Sequence, residues 1–143
     1  MASIVFDRLD HAHRLRSIKR VRQWLQQVIE SHDLEVGEIA IIFCTDEALL
    51  DINRKALDHD YYTDIITFDH CVGDIVSGDL YISVDRVKEN AQQHGATVYQ
   101  EMLRVCVHGV LHLCGQGDKT EAEAQVMRQK EDHWLSVFHV EPT

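Results

Sequence analysis

The sequence has a single proline, Pro142, and no apolar run that approaches the length of a membrane span. Without a proline-rich, glycine-rich or low-complexity stretch to indicate a linker, its 143 residues predict one domain over 1–143. A transmembrane helix needs about 20 consecutive apolar residues, and apolar stretches such as 39–44 are far shorter. The first residues also lack the pattern of a secretory signal. We therefore expect a cytoplasmic protein with no membrane contact.

The cysteines show no CxxC spacing, which argues against a classical thiolate metal site. The four are Cys44, Cys71, Cys106 and Cys114. A chain of this size can bury enough core to fold without disulfides, so reduced thiols are expected. Cys106 and Cys114 fall in an apolar segment, where a free cysteine usually behaves as a small hydrophobic residue. Redox sensing or incidental metal contact is the alternative.

Positive charge is scarce: 14 Lys and Arg face 24 Asp and Glu, for a formal net charge of −10. Because attraction to phosphates dominates nonspecific nucleic-acid affinity, this balance argues against broad nonspecific binding. One stretch differs from the rest of the chain and is strongly basic. It contains Arg14, Arg16, Lys19, Arg20 and Arg22. The run predicts either a solvated helix face or a surface for phosphates.

Hydrophobic periodicity predicts four strands and five helices. The strands are expected at 3–6, 38–44, 64–68 and 79–84, and the helices at 15–31, 46–56, 85–94, 99–114 and from 121 onward. Thr45 or Asp46 is predicted to cap the second helix and Asp85 the third. Thr120 and Glu123 have the form of a capping box for the fifth. The order β-α-β-α-β-β-α-α-α predicts an α+β fold, with a small mixed four-stranded sheet packed with about five helices.

His108 and His112 lie four residues apart in the most apolar predicted helix. This spacing puts both imidazoles on one face, roughly 6 Å apart at Cβ. Burying them is costly unless each finds a polar partner, and a metal ion would supply one. Asp118 follows the helix-ending Gly115 and can fold back over the same face. Two histidines and an aspartate leave a fourth position open for water, as in catalytic zinc sites. The alternative is a pair of surface or hydrogen-bonded core histidines.

Gly109 stands where zinc proteases of the HExxH type carry their glutamate general base. A protease mechanism is therefore disfavoured. Two explanations for this glycine stay open. It can let a strand or a substrate backbone come close to the metal, or it can simply allow tight helix packing.

Four stretches resemble the YbeY family, bacterial metal-dependent endoribonucleases of ribosomal RNA maturation. The segment HGVLHLCGQGD at 108–118 is similar to the family signature H-G-x-L-H-L-x-G-Y-D-H. The segment 63–68 resembles the family strand T-D/N-V-L-S-F, and 78–83 resembles the strand G-D-I-x-I-S. The pair at 52–53 resembles the preceding L-N. The similarity runs over residues 40–135 in the correct order.

The resemblance implies a hydrolase that cuts single-stranded RNA, matures the 3′ end of 16S ribosomal RNA and works with the small ribosomal subunit or its proteins. It implies one divalent metal ion, zinc first among the candidates, held by His108, His112 and Asp118, with a metal-activated water as nucleophile. Arg104, one turn before His108, and Arg54 are the candidate catalytic arginines for phosphate. The alternative for Arg104 is a salt bridge on the helix surface.

Three positions depart from the family pattern. Asp118 falls where the family has its third metal histidine, and the usual tyrosine of the signature falls near Gln116. Leu57 falls where many members carry an arginine. A carboxylate in place of an imidazole lowers the net charge of the site by one unit, which is expected to weaken the metal as a Lewis acid and to favour harder ions. Two other functions stay open: a ribosome-assembly or RNA-binding factor with a mainly structural metal, and a metal-dependent hydrolase of an unrelated small substrate.

Overall fold

The computed structural model describes residues 2–140, and within them a four-stranded mixed sheet packs with five helices. In chain order the elements are β1 (Ser3–Arg8), α1 (Ile18–Glu30), β2 (Glu35–Cys44), α2 (Asp46–Leu57), β3 (Ile65–Asp69), β4 (Ile75–Ser83), α3 (Val84–His94), α4 (Val98–Leu113) and α5 (Glu121–Val140). The predicted element order and the α+β class are confirmed. None of these helices combines the length and the apolar character that a membrane crossing requires.

The sheet has the strand order β1-β2-β4-β3. β1 and β4 both run parallel to β2, whereas β3 runs antiparallel to β4. β4 starts at Ile75, before the predicted 79, because its first residues pair with the start of β2, where Glu35 lies opposite Ile75. Gly37 and Gly78 interrupt the apolar alternation of these two segments, and the register shifts between Val36 and Ile39. The sequence signal for both strand starts is therefore weak.

α4 occupies the centre of the fold, in contact with β3, β4, α1, α3 and α5. Its wide apolar face is fully buried and includes Leu103, Val107 and Leu111. α2 packs through Leu49 into a second, smaller cluster that contains Ile66 of β3. Since successive residues of a strand point to opposite faces, Ile65 is directed towards the α4 side. The start of β3 thus lies directly beside α4.

Three helix starts show how local side chains set the ends of the elements. Thr45 caps α2 by accepting a bond from the amide of Ala48 at 3.2 Å. The predicted capping box of α5 is confirmed: the Thr120 amide donates to Glu123, and the Glu123 amide donates to the Thr120 hydroxyl. The prediction of Asp85 as the cap of α3 is wrong. The cap is Ser83, because β4 passes into α3 without a loop and the helix begins earlier than expected.

The four cysteines are all free, as predicted. Cys44 and Cys106 are fully buried, and burial raises the pKa of each thiol to about 12. Burial likewise raises the pKa of the Cys114 thiol to about 11. Since the thiolate is the reactive and metal-binding form, these cysteines serve as packing residues at neutral pH.

Gly109 lets α4 lie directly against the sheet. A Cβ at this position would come within 2.7 Å of Ile65 Cδ1 and 2.9 Å of Leu80 Cδ1. Real Cβ atoms do not approach other carbons so closely, so the glycine permits the approach of β3 and β4 to the helix. Of the two explanations for this residue, tight packing therefore has a direct structural basis.

We expect Gly109→Val to lower the free energy of unfolding by about 2 kcal/mol, because overpacking a filled core forces buried side chains off their rotamers. Leu80, which has to move, is fully buried. Urea denaturation followed by circular dichroism measures the change. Gln129→Val, at an exposed position of α5, places the same β-branched residue on a helix without the clash. Since glycine is a poorer helix former than valine, helix propensity adds no cost at position 109. Equal stability of the two variants would contradict the close approach.

Candidate metal centre

His108, His112 and Asp118 come together as the sequence predicts. The two histidines project from the last turns of α4, and their Nε2 atoms lie 3.4 Å and 3.3 Å from the same oxygen, Oδ2 of Asp118. The ligand atoms of the three residues all lie within 4.8 Å of one another. Each side chain is partly exposed, so the group opens to solvent on one side.

The end of α4 determines where Asp118 lies. The amides of Cys114 and Gln116 donate back to the carbonyls of Val110 and Leu111, which closes the helix. Gly115 then adopts φ = 100°, a left-handed conformation in which a side chain would be strained. The chain reverses at this residue and passes back over the end of the helix, which brings the Asp118 carboxylate above the two imidazoles.

The donor set fits a divalent metal ion. Ligands at 2.0–2.1 Å from a tetrahedral zinc are about 3.3 Å apart, and the two measured separations from Asp118 are 3.3 Å and 3.4 Å. Imidazole nitrogen and carboxylate oxygen are both ordinary zinc ligands. His108, His112 and Asp118 therefore form a group that could hold a metal ion.

Glu131 of α5 forms a hydrogen bond with Nδ1 of His108, the ring nitrogen that does not face Asp118. Its Oε2 accepts a hydrogen bond from Nδ1 of His108 at 2.6 Å, and its Oε1 accepts one from Arg104 at 2.9 Å. Glu131 is only 4% exposed, so its carboxylate is largely shielded from solvent. A proton fixed on Nδ1 leaves the lone pair on Nε2, the atom that faces Asp118. Glu131 thereby orients the imidazole and selects the tautomer that can bind a metal.

The charges around His108 favour a cation. Burial alone would lower the pKa of this imidazole, but the hydrogen bond and the charge of Glu131, together with Asp118 and Asp64, raise it above its ordinary value. The same field that stabilises a proton on the ring stabilises a positive ion beside it. The negative charges around His108 thus stabilise either a proton on the ring or a metal ion beside it.

Two cavities meet at His108. The smaller, about 410 Å³, lies between α4 and α5 and is lined by Glu101, Arg104 and Glu131 among others. The larger, about 540 Å³, extends from the two histidines along the start of β3 to the loop that follows α2. Asp64 and Asp118 line both cavities. Burial raises the pKa of the Asp64 carboxyl, which accepts a hydrogen bond from Asn90 at 3.3 Å.

Both predicted catalytic arginines form ion pairs. Arg104 donates to Glu131 and, at 2.7 Å, to Asp132. Arg54 donates to Asp60 at 2.6 Å, is half exposed, and is absent from the linings of the two cavities at His108. A phosphate contact by either guanidinium stays a prediction, since each would first have to leave its carboxylates.

Sequence reasoning missed Glu131 as part of the site, although a signal for it exists. The inward face of α5 carries the buried Met127 and Phe138 and the partly buried Trp134. Glu131 lies one helical turn after Met127, on that same face. A carboxylate in an apolar stripe requires a buried partner, and Arg104 and His108 are the two partners it has.

Comparisons with known proteins address the family of the chain. The family model "Endoribonuclease YbeY" matches residues 8–139, a longer stretch than the resemblance in the motifs. The endoribonuclease YbeY of Bacteroides thetaiotaomicron is 49% identical over 119 residues, which cover 83% of this chain and 87% of that protein. The one from Cytophaga hutchinsonii is 48% identical over 136 residues, covering 94% of this chain and 95% of that protein.

A solved structure supports the fold independently. The solution structure of a Thermotoga maritima protein matches with a TM-score of 0.66 at 21% sequence identity, covering 94% of this chain and 89% of that one. At this identity the likeness concerns the fold alone. Family assignment rests instead on the family model and on relatives that are nearly half identical over most of their length. By these matches, the chain belongs to the endoribonuclease YbeY family.

Proposed function

We propose that this protein is a metal-dependent endoribonuclease, a hydrolase that cleaves single-stranded RNA with one divalent ion held by His108, His112 and Asp118. The observation that carries the proposal is the convergence of three ligand atoms within 4.8 Å at one end of an open cavity of about 540 Å³. Membership in a family named for endoribonuclease activity supports the same conclusion.

The residues of the chain have separate tasks in this proposal. A bound divalent ion supplies Lewis acidity towards water and a phosphate oxygen. His108 and His112 present neutral nitrogens from a rigid helix, and Asp118 closes the third position from a loop. Glu131 holds the proton of His108 on Nδ1, away from the cavity. The cavity is open to solvent and is lined by residues of β3 as well as by the two histidines, so an unpaired strand bound there would lie beside the metal ligands.

Zinc is the proposed ion, and the ligand types are the reason. Two imidazoles favour zinc and its first-row neighbours over magnesium or calcium, which prefer sites made of oxygen alone. The single carboxylate brings a harder donor into the set. Elemental analysis of the purified protein identifies the ion directly, and we expect about one equivalent of zinc per chain, bound by three protein ligands.

Ribosomal RNA is the proposed substrate, at the 3′ end of 16S ribosomal RNA, with the small ribosomal subunit or its proteins as partners. A single-domain organisation and a cytoplasmic location belong to the same proposal. Of the basic run, Arg16 lies over the ring of Tyr99 and Arg22 donates to the carbonyl of Ile4, so both take part in packing. Arg14 and Lys19 are exposed and are the members available for phosphates.

Cleavage of matched RNA substrates tests the activity. The metal-loaded protein, purified free of other nucleases, is incubated with a single-stranded RNA and with the same strand in a perfect duplex. We expect cleavage of the single strand, its loss on chelation and its return when metal is restored. Screening simple esters, phosphodiesters and amides in parallel tests the alternative of an unrelated small substrate. Turnover of one of these without cleavage of RNA would contradict the proposal.

Asp118→His is expected to raise the cleavage rate several-fold. A neutral imidazole in place of the carboxylate leaves one more unit of positive charge at the site, which strengthens the metal as a Lewis acid. The side chain is partly exposed and lies in a loop, so the larger ring can be accommodated. Asp118→Ala serves as the matched control and should lose metal and activity together. If the histidine variant binds metal normally but cleaves RNA no faster, the carboxylate does not restrain the site.

A further inference from the structure

An aromatic pair lies at the far end of the larger cavity from the metal ligands. His59 and Tyr61, in the loop between α2 and β3, line the same 540 Å³ cavity as His108 and His112. Their rings stack, with centroids 5.3 Å apart and an angle of 22° between the planes. The hydroxyl of Tyr61 lies 3.1 Å from Nδ1 of His59, which fixes the two rings relative to each other.

The backbone of the loop holds this pair in place. Asn53 of α2 is 2% exposed, and its side-chain amide donates to the carbonyl of Tyr61 at 2.9 Å. The backbone carbonyl of Asn53 accepts from the amide of His59 at 3.1 Å. Asp58, with φ = 55°, makes the turn between helix and loop. The stacked rings are thus anchored to α2 without being buried, and Tyr61 remains 55% exposed.

The rest of the cavity offers little to a phosphate backbone. Among its lining residues in the described part of the chain, three carboxylates, those of Asp64, Asp69 and Asp118, face one ammonium group, that of Lys119. Leu57, which stands where many family members carry an arginine, is 43% exposed and lines the same cavity. Away from the three proposed metal ligands, ionic attraction to phosphates is therefore weak, and a nucleic-acid strand must obtain its affinity there from other contacts.

We propose that His59 and Tyr61 form a stacking subsite for an unpaired base of the RNA, one that places the neighbouring phosphate at the His108–His112–Asp118 group. The inference rests on the proposed function for the identity of the strand. Every base has a π face, so stacking on aromatic rings binds single strands with little sequence preference. A base within a duplex cannot reach such a platform without leaving its stack. The subsite thus selects unpaired RNA.

The apolar side chain at position 57 belongs to the same subsite. Leu57 lies on the last turn of α2, two residues before His59, and faces the cavity. An apolar side chain beside an aromatic platform widens the surface on which a base can lie, whereas a guanidinium would contact phosphate. At the end of α2, this chain therefore recognises an RNA base more than the RNA phosphate backbone.

Stopped-flow fluorescence with the metal-loaded protein tests the subsite independently of cleavage. The probe is a single-stranded RNA that carries 2-aminopurine, whose fluorescence falls when the base stacks. The rapid change on mixing reports binding before strands are cut, and its dependence on protein concentration gives the dissociation constant. We expect Tyr61→Leu to weaken binding about tenfold and to abolish most of the rapid quench. Tyr61→Phe keeps the ring and should bind within about twofold of the parent protein.

The adjacent tyrosine provides a matched control. Tyr62 is 46% exposed, but it is not among the residues lining the cavity, Arg86 lies over its ring at 5.4 Å, and its hydroxyl donates to Glu47. Tyr62→Leu should leave the quench and the affinity unchanged. Equal binding and equal quench in the two leucine variants would overturn the proposal. If RNA is bound and quenched through Tyr61 but never cut, the proposed function fails while the subsite stands.

Discussion

His112→Ala is expected to abolish RNA cleavage while leaving the protein folded. The substitution removes one of two helix-borne nitrogen ligands, so the loss should exceed the roughly 10- to 100-fold that residues supporting a metal ligand typically contribute. His112 is partly exposed and its polar contact is with Asp118, so the core of α4 does not depend on it. Initial rates on a single-stranded RNA, together with the metal content of the same samples, measure the effect.

His133→Ala is the control for this experiment, because His133 is an exposed histidine of α5 outside both cavities at His108. It should retain metal and activity. Thermal unfolding separates catalysis from the structural-metal alternative, in which the ion mainly ties the Asp118 loop to α4. Three results in His112→Ala would together favour that alternative. The melting temperature would be strongly lowered, small-subunit association measured by sedimentation would be preserved, and RNA cleavage per folded molecule would be unchanged.

Glu131→Gln is expected to weaken metal binding by about 10- to 100-fold, the range seen when the hydrogen-bond partner of a metal-bound histidine is removed. The amide keeps the shape of the side chain but loses the charge that polarises the ring of His108. It also leaves the mostly buried guanidinium of Arg104 with a single carboxylate partner, Asp132. Competition with a chromophoric chelator gives the affinity, and nitrogen chemical shifts report the tautomer of His108.

Asp132→Asn separates the two effects. Asp132 pairs with the same Arg104, but it is 59% exposed and makes no contact with His108. Exposed ion pairs contribute little, so this variant should bind metal as the parent protein does. If Glu131→Gln also binds metal with unchanged affinity and His108 keeps the same tautomer, the carboxylate is a structural partner of Arg104 and does not position the ligand.

The element order was predictable because each helix and strand carries its own periodicity. The apolar spacing of α4 and the reciprocal Thr120–Glu123 cap are local patterns that do not depend on the rest of the fold. The start of β4 was not predictable in this way. Its first residues are held by pairing with β2, and Gly78 breaks their alternation. Pairing with a strand distant in sequence determines where β4 begins, and the local sequence does not indicate that pairing.

The same division applies to the site. His108, His112 and Asp118 lie within one short segment, so helix geometry and a single turn at Gly115 predict their proximity. Glu131 reaches His108 only because α5 packs along α4. Contributions from distant elements require the tertiary structure to be known.

No sequence motif points to His59 or Tyr61. They join the site because the loop after α2 is tied to Asn53 and folds towards the start of β3. Neither the hydrogen bond to Asn53 nor the direction of the loop follows from a local sequence pattern. The proximity of His108, His112 and Asp118 was therefore predictable, and the residues that surround them were not.

A metal titration with two readouts on the same samples tests whether RNA cleavage requires an ion bound by the two histidines. Metal-free protein receives increasing zinc, and bound metal and initial rate of single-stranded RNA cleavage are measured at each point. We predict no cleavage without metal, a linear rise to one equivalent and a plateau beyond it, with neither binding nor cleavage in a folded His108→Ala, His112→Ala double variant. Full cleavage before metal is added, or metal-dependent cleavage by the double variant, would contradict the account.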